Sequence, residues 1–409
     1  MELRMGSFNL SSLPCMENLF EDTSVDVSVE VGDAAEVAEE TTEATSVATD
    51  VQEDTAEASD TETTTELLFQ HIDTLINRKM YLETYGYDRR FAMLAAQDGV
   101  DYIQGDVPAV ESVNDVSSAN DSYTIAALEG VGDALKSAWE WIKKVLGKIA
   151  NWVGRFFRSV VMMFSSLENN IIRLKKLENE SKWDTDRAEK ASGDIPESIA
   201  DMKAAMDKAV NDHKDKSGLF ASASGWLGVL GMLKNRFSEV GDMSNDVIMD
   251  GNEKRLRTHA GGNVDKYDTL SNDKDKRKDD KDATKKIAED MKKVSEKKTS
   301  ISNAKAGSVG EWLTLATDIC KQKTIIRNVG DIAARNVSIA KKQAEKFSAL
   351  DSTDGRASTD VSKKFRKVTS YLSALQSFSA KFCGALIKVA NWLVNGAAKV
   401  LGACYKKDK

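Results

Sequence analysis

Residues whose types and spacing could perform chemistry are sparse in this chain of 409 residues. Its three histidines, His71, His213 and His259, lie far apart and leave little material for His-based catalysis or a zinc site. The four cysteines form no CxxC pair and are interpreted as reduced thiols of a cytosolic protein. The sequence also lacks a phosphate-binding glycine loop, a GxSxG or HExxH motif and an EF-hand loop. It therefore predicts a protein that is not an enzyme and that uses no metal or cofactor.

Acidic and basic residues are divided unevenly along the chain. Residues 1–129 contain 28 acidic and five basic residues, a net charge of −23. Residues 130–409 contain 37 acidic and 52 basic residues, a net charge of +15. Asymmetry of this kind is typical of acidic tails and of proteins that contact polyanions. The sequence therefore predicts an acidic N-terminal part joined to a basic C-terminal part.

The acidic part contains one segment with a clear helical pattern. Residues 21–66 hold sixteen acids and no lysine or arginine, so we expect them to be disordered, because they cannot bury enough apolar surface. Apolar residues at helical spacing predict an amphipathic helix over 66–97, interrupted near Gly86. The Asp-, Ser- and Asn-rich stretch 98–124 is interpreted as a linker.

The basic part is predicted to be helical, which makes the fold class all-α, an elongated helical bundle behind an acidic leader. Residues 130–250 are predicted to form one helical domain and 284–409 a second. The Asp-rich stretch within 251–283 also carries lysines and an arginine that cancel the field a divalent cation would need. We therefore interpret 251–283 as a solvated charged loop.

The apolar stripes of these helices permit three interpretations. In 131–165 one stripe runs from Val131 to Val160, while lysines and arginines occupy the other faces. The stripe is expected to be the core of a bundle, but it also suits a helix that lies in a membrane interface, or one that docks on a partner helix. The longest uncharged run, 217–233, is 17 residues long and is interrupted by glycines, so we expect no membrane-spanning helix.

A short internal repeat links two of the predicted helices. Lys148-Ile-Ala-Asn-Trp-Val153 closely matches Lys388-Val-Ala-Asn-Trp-Leu393. Either two core helices have similar faces by chance, or the two segments perform the same task.

The change of charge coincides with a recognisable sequence. It lies at Ala127, Leu128, Glu129 and Gly130. A small or aliphatic residue two positions before a glutamate resembles the cleavage sites of the prohead proteases of large tailed bacteriophages, in which the bond after the glutamate is cut as the capsid matures. Ser28–Glu30, Ala34–Glu36 and Ser166–Glu168 also match this pattern. Position favours Glu129, because a cut there separates the acidic part from the basic part.

The whole arrangement is similar to the internal head, or inner body, proteins of large and giant tailed bacteriophages. This resemblance implies a virion structural protein, assembled in the host cytoplasm with capsid or scaffold proteins and processed by the prohead protease. Residues 1–129 would be the propeptide, and the basic product would stay in the capsid interior with the viral DNA or be ejected into the host. Two alternatives are a membrane-active or pore-forming protein kept inert by its acidic leader, and a capsid-assembly scaffold component recognised through 66–97.

Contact with DNA would be non-specific and electrostatic, because the sequence has no zinc finger, basic zipper or RNP-like motif. An attached polyanion would compete with DNA phosphates for the same bases. The basic residues expected to contact phosphates are Lys143, Lys144, Lys148, Arg155, Arg158, Arg173, Lys175, Lys176, Lys254, Arg255, Arg257, Lys363, Lys364, Arg366, Lys367, Lys406 and Lys407.

Overall fold

The computed structural model of the chain is mostly helical, which confirms the all-α prediction. The structure describes residues 61, 64–65, 67–98, 116–216, 221–245, 247–250, 255–258, 274–348 and 355–407. Within these ranges, the side chains at 116–120, 243–250, 255–258, 274–278, 280–281, 346–348, 355–364 and 407 are not described. The predicted disorder of 21–66 falls almost entirely outside the described residues.

Ten helices follow one another along the described part of the chain. They are α1 (67–85), α2 (Arg89–Asp98), α3 (Val116–Asn179), α4 (Thr185–Lys190), α5 (Ile199–Lys214), α6 (Gly225–Asn245), α7 (Lys274–Val294), α8 (Ser308–Cys320), α9 (Lys323–Ser348) and α10 (Gly355–Cys404). The predicted interruption at Gly86 is confirmed. Its φ of 71° ends α1, and its N–H donates to the carbonyl of Leu82 at 2.9 Å.

Three short antiparallel ladders occur in the described part of the chain, and the first two join segments that are distant in sequence. The pairs are β1 (Ser181–Trp183) with β6 (Tyr405–Lys407), β2 (Asp194–Pro196) with β5 (Lys298–Ser300), and β3 (Val247–Asp250) with β4 (Arg255–Thr258). Trp183 lies opposite Tyr405, and their rings meet edge to face at 5.5 Å. The first ladder therefore ties the C-terminal end of α10 to the turn that follows α3.

Helix α10 is the centre of the fold. Between Phe365 and Leu401 it is buried on nearly all sides, and it contacts α3, α6, α7 and α8. A helix that is apolar around its whole circumference is expected to lie inside a protein. Gly396 is required there, since a Cβ at this position would overlap the ring of Pro196. Helices from both predicted domains, and α1 from the leader, contribute to one continuous hydrophobic core.

The predicted apolar stripe of α3 lies in this core. Val131, Leu135, Trp139 and the rest of the stripe to Val160 are all buried, and the ring of Trp152 stacks on that of Phe156 at 4.6 Å. The structure thus favours the bundle-core interpretation of this stripe over membrane insertion. In the described part of the chain, none of the helices has the length and hydropathy needed to cross a bilayer.

Two predicted boundaries differ from the structure. Helices α1 and α2 pack on each other as a hairpin, through Arg78 with Asp98 and Tyr81 with Phe91. Helix α3 begins at Val116, inside the predicted linker 98–124, because Tyr123 and Thr124 contact Tyr87 in the turn of this hairpin and tertiary packing outweighs weak helix propensity. Helix α7 begins at Lys274, inside the predicted loop 251–283. Its Asp and Lys residues stand at spacings that support a helix through ion pairs between successive turns.

Candidate processing site and polyanion-binding face

The Glu129–Gly130 bond lies inside a continuous helix. Helix α3 runs through it without a break, so fourteen helical residues precede the predicted cleavage point, Val116 to Glu129. Ala127 is fully buried, Leu128 is half-buried and Glu129 is exposed. The glutamate that a protease would recognise therefore faces solvent, while the chain just before it belongs to the core.

The α1–α2 hairpin packs directly on this part of α3. The ring of Phe69 meets that of Trp139 edge to face at 6.2 Å, and it is tilted against the ring of Phe365 of α10 at 6.4 Å. At the other end of α1, the N–H of Tyr87 donates to Thr124 Oγ1 at 2.8 Å. Residue 69 is thus level with 139 and residue 87 with 124, so α1 runs antiparallel to α3. The predicted propeptide helix is an integral part of the folded chain.

The hairpin is also tied to α10 by an ion pair. Arg366 Nη1 lies 2.9 Å from Asp73 Oδ2, with both side chains partly exposed. Arg366 was predicted to contact DNA. Its guanidinium already has a carboxylate partner on α1, and the DNA contact stays a prediction. The value of the ion pair to stability is small, about 1 kcal/mol or less, as for other solvent-accessible pairs.

The other matches to the cleavage pattern differ from Glu129 in their surroundings. In Ser166–Glu168, Leu167 is 1% exposed and the carboxylate of Glu168 is ion-paired with Lys323 of α9. Ser28–Glu30 and Ala34–Glu36 lie outside the described residues. Glu129 is therefore exposed, whereas Glu168 is half-buried and ion-paired.

One side of α3 presents a row of bases to solvent. Lys144, Lys148, Arg155 and Arg158 are all exposed and recur at spacings of four, seven and three residues, which places them on one helix face about 21 Å long. No acidic residue occurs between 141 and 167. Trp141 and Met162, 43% and 66% exposed, stand at the two ends of this row. We call these six residues the cationic face.

Two neighbouring lysines on α3 behave differently. Lys144 lies on the cationic face, with Nζ 4.8 Å from the centre of the Trp141 ring, a cation–π contact that leaves the charge accessible. Lys143 is half-buried and pairs with Glu140 at 3.1 Å. Lys144 is therefore open to solvent and Lys143 is paired, and the phosphate contacts of both stay predictions.

Two further predicted contacts are also drawn into the protein. Lys175 Nζ donates to Thr317 Oγ1 of α8 at 3.1 Å, and Lys367 is 9% exposed within α10. Both side chains are thus engaged within the fold, and their contacts with phosphates stay predictions. Lys176 and Lys406 are exposed, and Arg173 is half-buried. The predicted contacts whose side chains lie outside the described residues are Lys254, Arg255, Arg257, Lys363, Lys364 and Lys407.

The internal repeat does not place equivalent residues in equivalent surroundings. Trp152 is fully buried, whereas Trp392 is half-exposed and donates through Nε1 to the carbonyl of Lys297 at 3.1 Å. Lys148 is on the cationic face, but Lys388 is half-buried, and burial together with nearby Lys292 lowers its pKa. The geometry gives no support to a shared task for the two segments.

One group of three titratable side chains joins α5 to α7. His213 Nε2 lies 2.8 Å from Asp290 Oδ2, and Lys293 Nζ lies 2.7 Å from the other oxygen. Burial alone would raise the pKa of Asp290, but the bonds from Lys293 and His213 lower it overall. No cluster of three potential metal ligands occurs among the described residues. This contact is suited to holding two helices together.

Two features of this region were not predicted from the sequence. Trp141 is only two residues from buried Trp139, about 200° around the helix, so a periodicity count on the apolar stripe already separates the two. The docking of α1 on α3 and α10 carried no such signal, because helical periodicity shows that a face is buried but not what buries it.

The chain was compared with known proteins at the level of sequence and structure. A scan against protein-family models gave no match. Searches of the curated proteins and of the solved structures gave no significant match either.

Proposed function

We propose that the chain is an internal virion protein, made as a precursor and cleaved after Glu129, whose basic part is packaged with the genome. The observation that carries this proposal is the cationic face of α3. Four exposed bases lie on one side of a helix that has no acidic residue over 141–167, in a chain whose net charge changes sign at Glu129. A cut at that bond would remove a charge of −23 from a body of +15.

Duplex DNA is a suitable ligand for this face. Along about 21 Å a duplex carries roughly twelve phosphates. Each of the four lysines and arginines can therefore contact a phosphate whatever the DNA sequence. Neutralising four phosphates predicts a slope of about −3.6 for the logarithm of the binding constant against the logarithm of salt concentration, and therefore about 150-fold weaker binding at 200 mM than at 50 mM salt.

The test uses a chain that begins at Thr61, because this keeps every residue that the structure describes. The truncation removes 16 acidic residues and one base, so the remaining chain has a net charge of +7. Binding to a duplex of about 30 base pairs is followed by fluorescence anisotropy across a salt series. The double variant K148Q/R155Q is expected to reduce the magnitude of the slope by about 1.8, since each lysine or arginine that contacts a phosphate contributes about 0.9.

A matched control removes the same charge elsewhere. Lys190, at the end of α4, and Lys216, after α5, are both exposed. The variant K190Q/K216Q is expected to keep the slope of the parent chain to within about 0.5. Equal slopes for the two double variants would contradict the proposed interface, because the contacts would then be spread over the whole basic surface.

A second candidate function is supported by the two apolar residues on the cationic face. Exposed Trp141 and Met162 beside lysines and arginines are typical of helices that bind anionic bilayer surfaces. Vesicles of anionic and of neutral phospholipid, loaded with a self-quenching dye, distinguish the two functions. Packaging predicts no dye release, whereas a membrane-active protein would release dye from the anionic vesicles and lose this activity in a W141S/M162S variant.

A further inference from the structure

We propose that the Glu129–Gly130 bond is cut only in a locally opened form of the chain, and that the glycines at 130 and 132 make α3 open at this point. The inference rests on the proposed function, since it concerns how the proposed processing site is regulated. The folded chain would be resistant at this bond, and the ease of opening would set the rate of maturation.

The helix itself is the first reason. A protease holds its substrate in an extended conformation, and proteolysis of a folded protein follows the population of the opened state. Helix α3 is continuous for 64 residues through the bond, and the buried residues Ala127 and Val131 lie on either side of it. Extending this segment therefore requires both residues to leave the core.

The glycines are the second reason. Residues 129–132 read Glu-Gly-Val-Gly, and glycine is the least favourable residue for a helix interior apart from proline. A Cβ on Gly132 would have no atom within 4 Å, so close packing does not require glycine at this position. Gly132 thus weakens the helix without being required by packing, three residues after the glutamate that would be recognised.

The contacts on the N-terminal side define what opens with this segment. Thr124 is bonded to Tyr87, and the rings of Tyr123 and Tyr87 lie 5.6 Å apart. The first turns of α3 are therefore held by the α1–α2 hairpin, and unwinding at 129–132 would release both together. The hairpin and residues 116–129 form one unit whose docking controls access to the bond.

The negative charge that follows the Glu129–Gly130 bond is suited to a new helix N-terminus. Asp133 is exposed three residues after Gly130, so it would lie in the first turn of the helix that remains after cleavage. A carboxylate in the first turn interacts favourably with the positive end of the helix dipole. The cut would thus leave α3 with a suitable N-terminus.

The test measures cleavage of the full-length chain by a glutamyl endopeptidase, with the fragment beginning at Gly130 quantified by mass spectrometry. The variant G132A is expected to slow the appearance of this fragment about fivefold, because replacing glycine by alanine in a helix interior lowers the population of the opened form by about that factor. Amide hydrogen exchange over 124–133 is expected to slow to the same extent, which gives a readout independent of the enzyme.

Gly147 provides the matched control. It lies in the same helix, and a Cβ there would also have no atom within 4 Å. G147A is expected to leave the cutting rate at Glu129 unchanged, whereas T124A, which removes the bond from Tyr87, is expected to accelerate it. Equal rates for G132A and the parent chain, or parent cleavage as fast as that of a peptide spanning 122–136, would overturn the inference.

This experiment is separate from the test of the proposed function. It uses an unrelated protease on the purified chain, so the gating can hold even when the native protein proves to be uncleaved. The N-terminus of the native protein, in turn, can be Gly130 even when the glycines have no effect.

Discussion

The strongest prediction about stability concerns Phe69, the residue through which the leader joins the core. The variant F69A removes a side chain that is 0% exposed and contacts the rings of both Trp139 and Phe365. Truncating a buried phenylalanine costs about 3–5 kcal/mol, and the loss of two aromatic contacts places this site in the upper part of that range. Urea unfolding followed by circular dichroism measures the change.

Leu67 is the control for this prediction. It lies on the same helix but is 60% exposed, so L67A is expected to change the free energy of unfolding by about 0.5 kcal/mol or less. A loss below about 1 kcal/mol for F69A would refute the reasoning, since α1 would then contribute little to the folded chain.

Three further predictions follow from the core and its titratable groups. G396A is expected to destabilise the chain by about 1–3 kcal/mol through overlap with Pro196, whereas G402A, with no atom within 4 Å of its Cβ, should not; thermal unfolding compares them. Burial raises the pKa of Cys383 to about 12, so iodoacetamide at pH 8 should label this thiol only after denaturation, as a mass spectrum would show. Because the pKa of Asp290 is lowered in the folded chain, its ionised carboxylate stabilises the fold above pH 3.8, the ordinary pKa of an aspartate. This contribution is lost as the pH falls through the folded-state pKa. The urea midpoints of D290N and the parent chain should therefore differ at pH 7 and converge toward pH 3.

Helical periodicity was the reliable part of the sequence signal. The stripe from Val131 to Val160 was predictable because apolar residues every three or four positions leave little choice of which face is buried. The start of α3 was not predictable, because residues 116–122 are poor helix formers that gain their conformation from contacts at Tyr123 and Thr124.

The basic residues show the same limit at the candidate site. Lys144 and Lys367 are equivalent in sequence terms, each in a lysine-rich stretch of a long amphipathic helix. One is exposed and the other buried, because neighbouring helices cover α10 on nearly all sides and leave one face of α3 open. The number of basic residues predicts that a polyanion is bound, but only the packing of the helices shows which of these residues are exposed to solvent.

The most direct test of the central claim is the N-terminal residue of the native protein, determined by peptide mass spectrometry on purified particles or on the source cells. Processing after Glu129 predicts a chain that begins at Gly130. An intact chain that begins at Met1 would contradict the account, and the acidic residues before Glu129 would then be a permanent part of the protein.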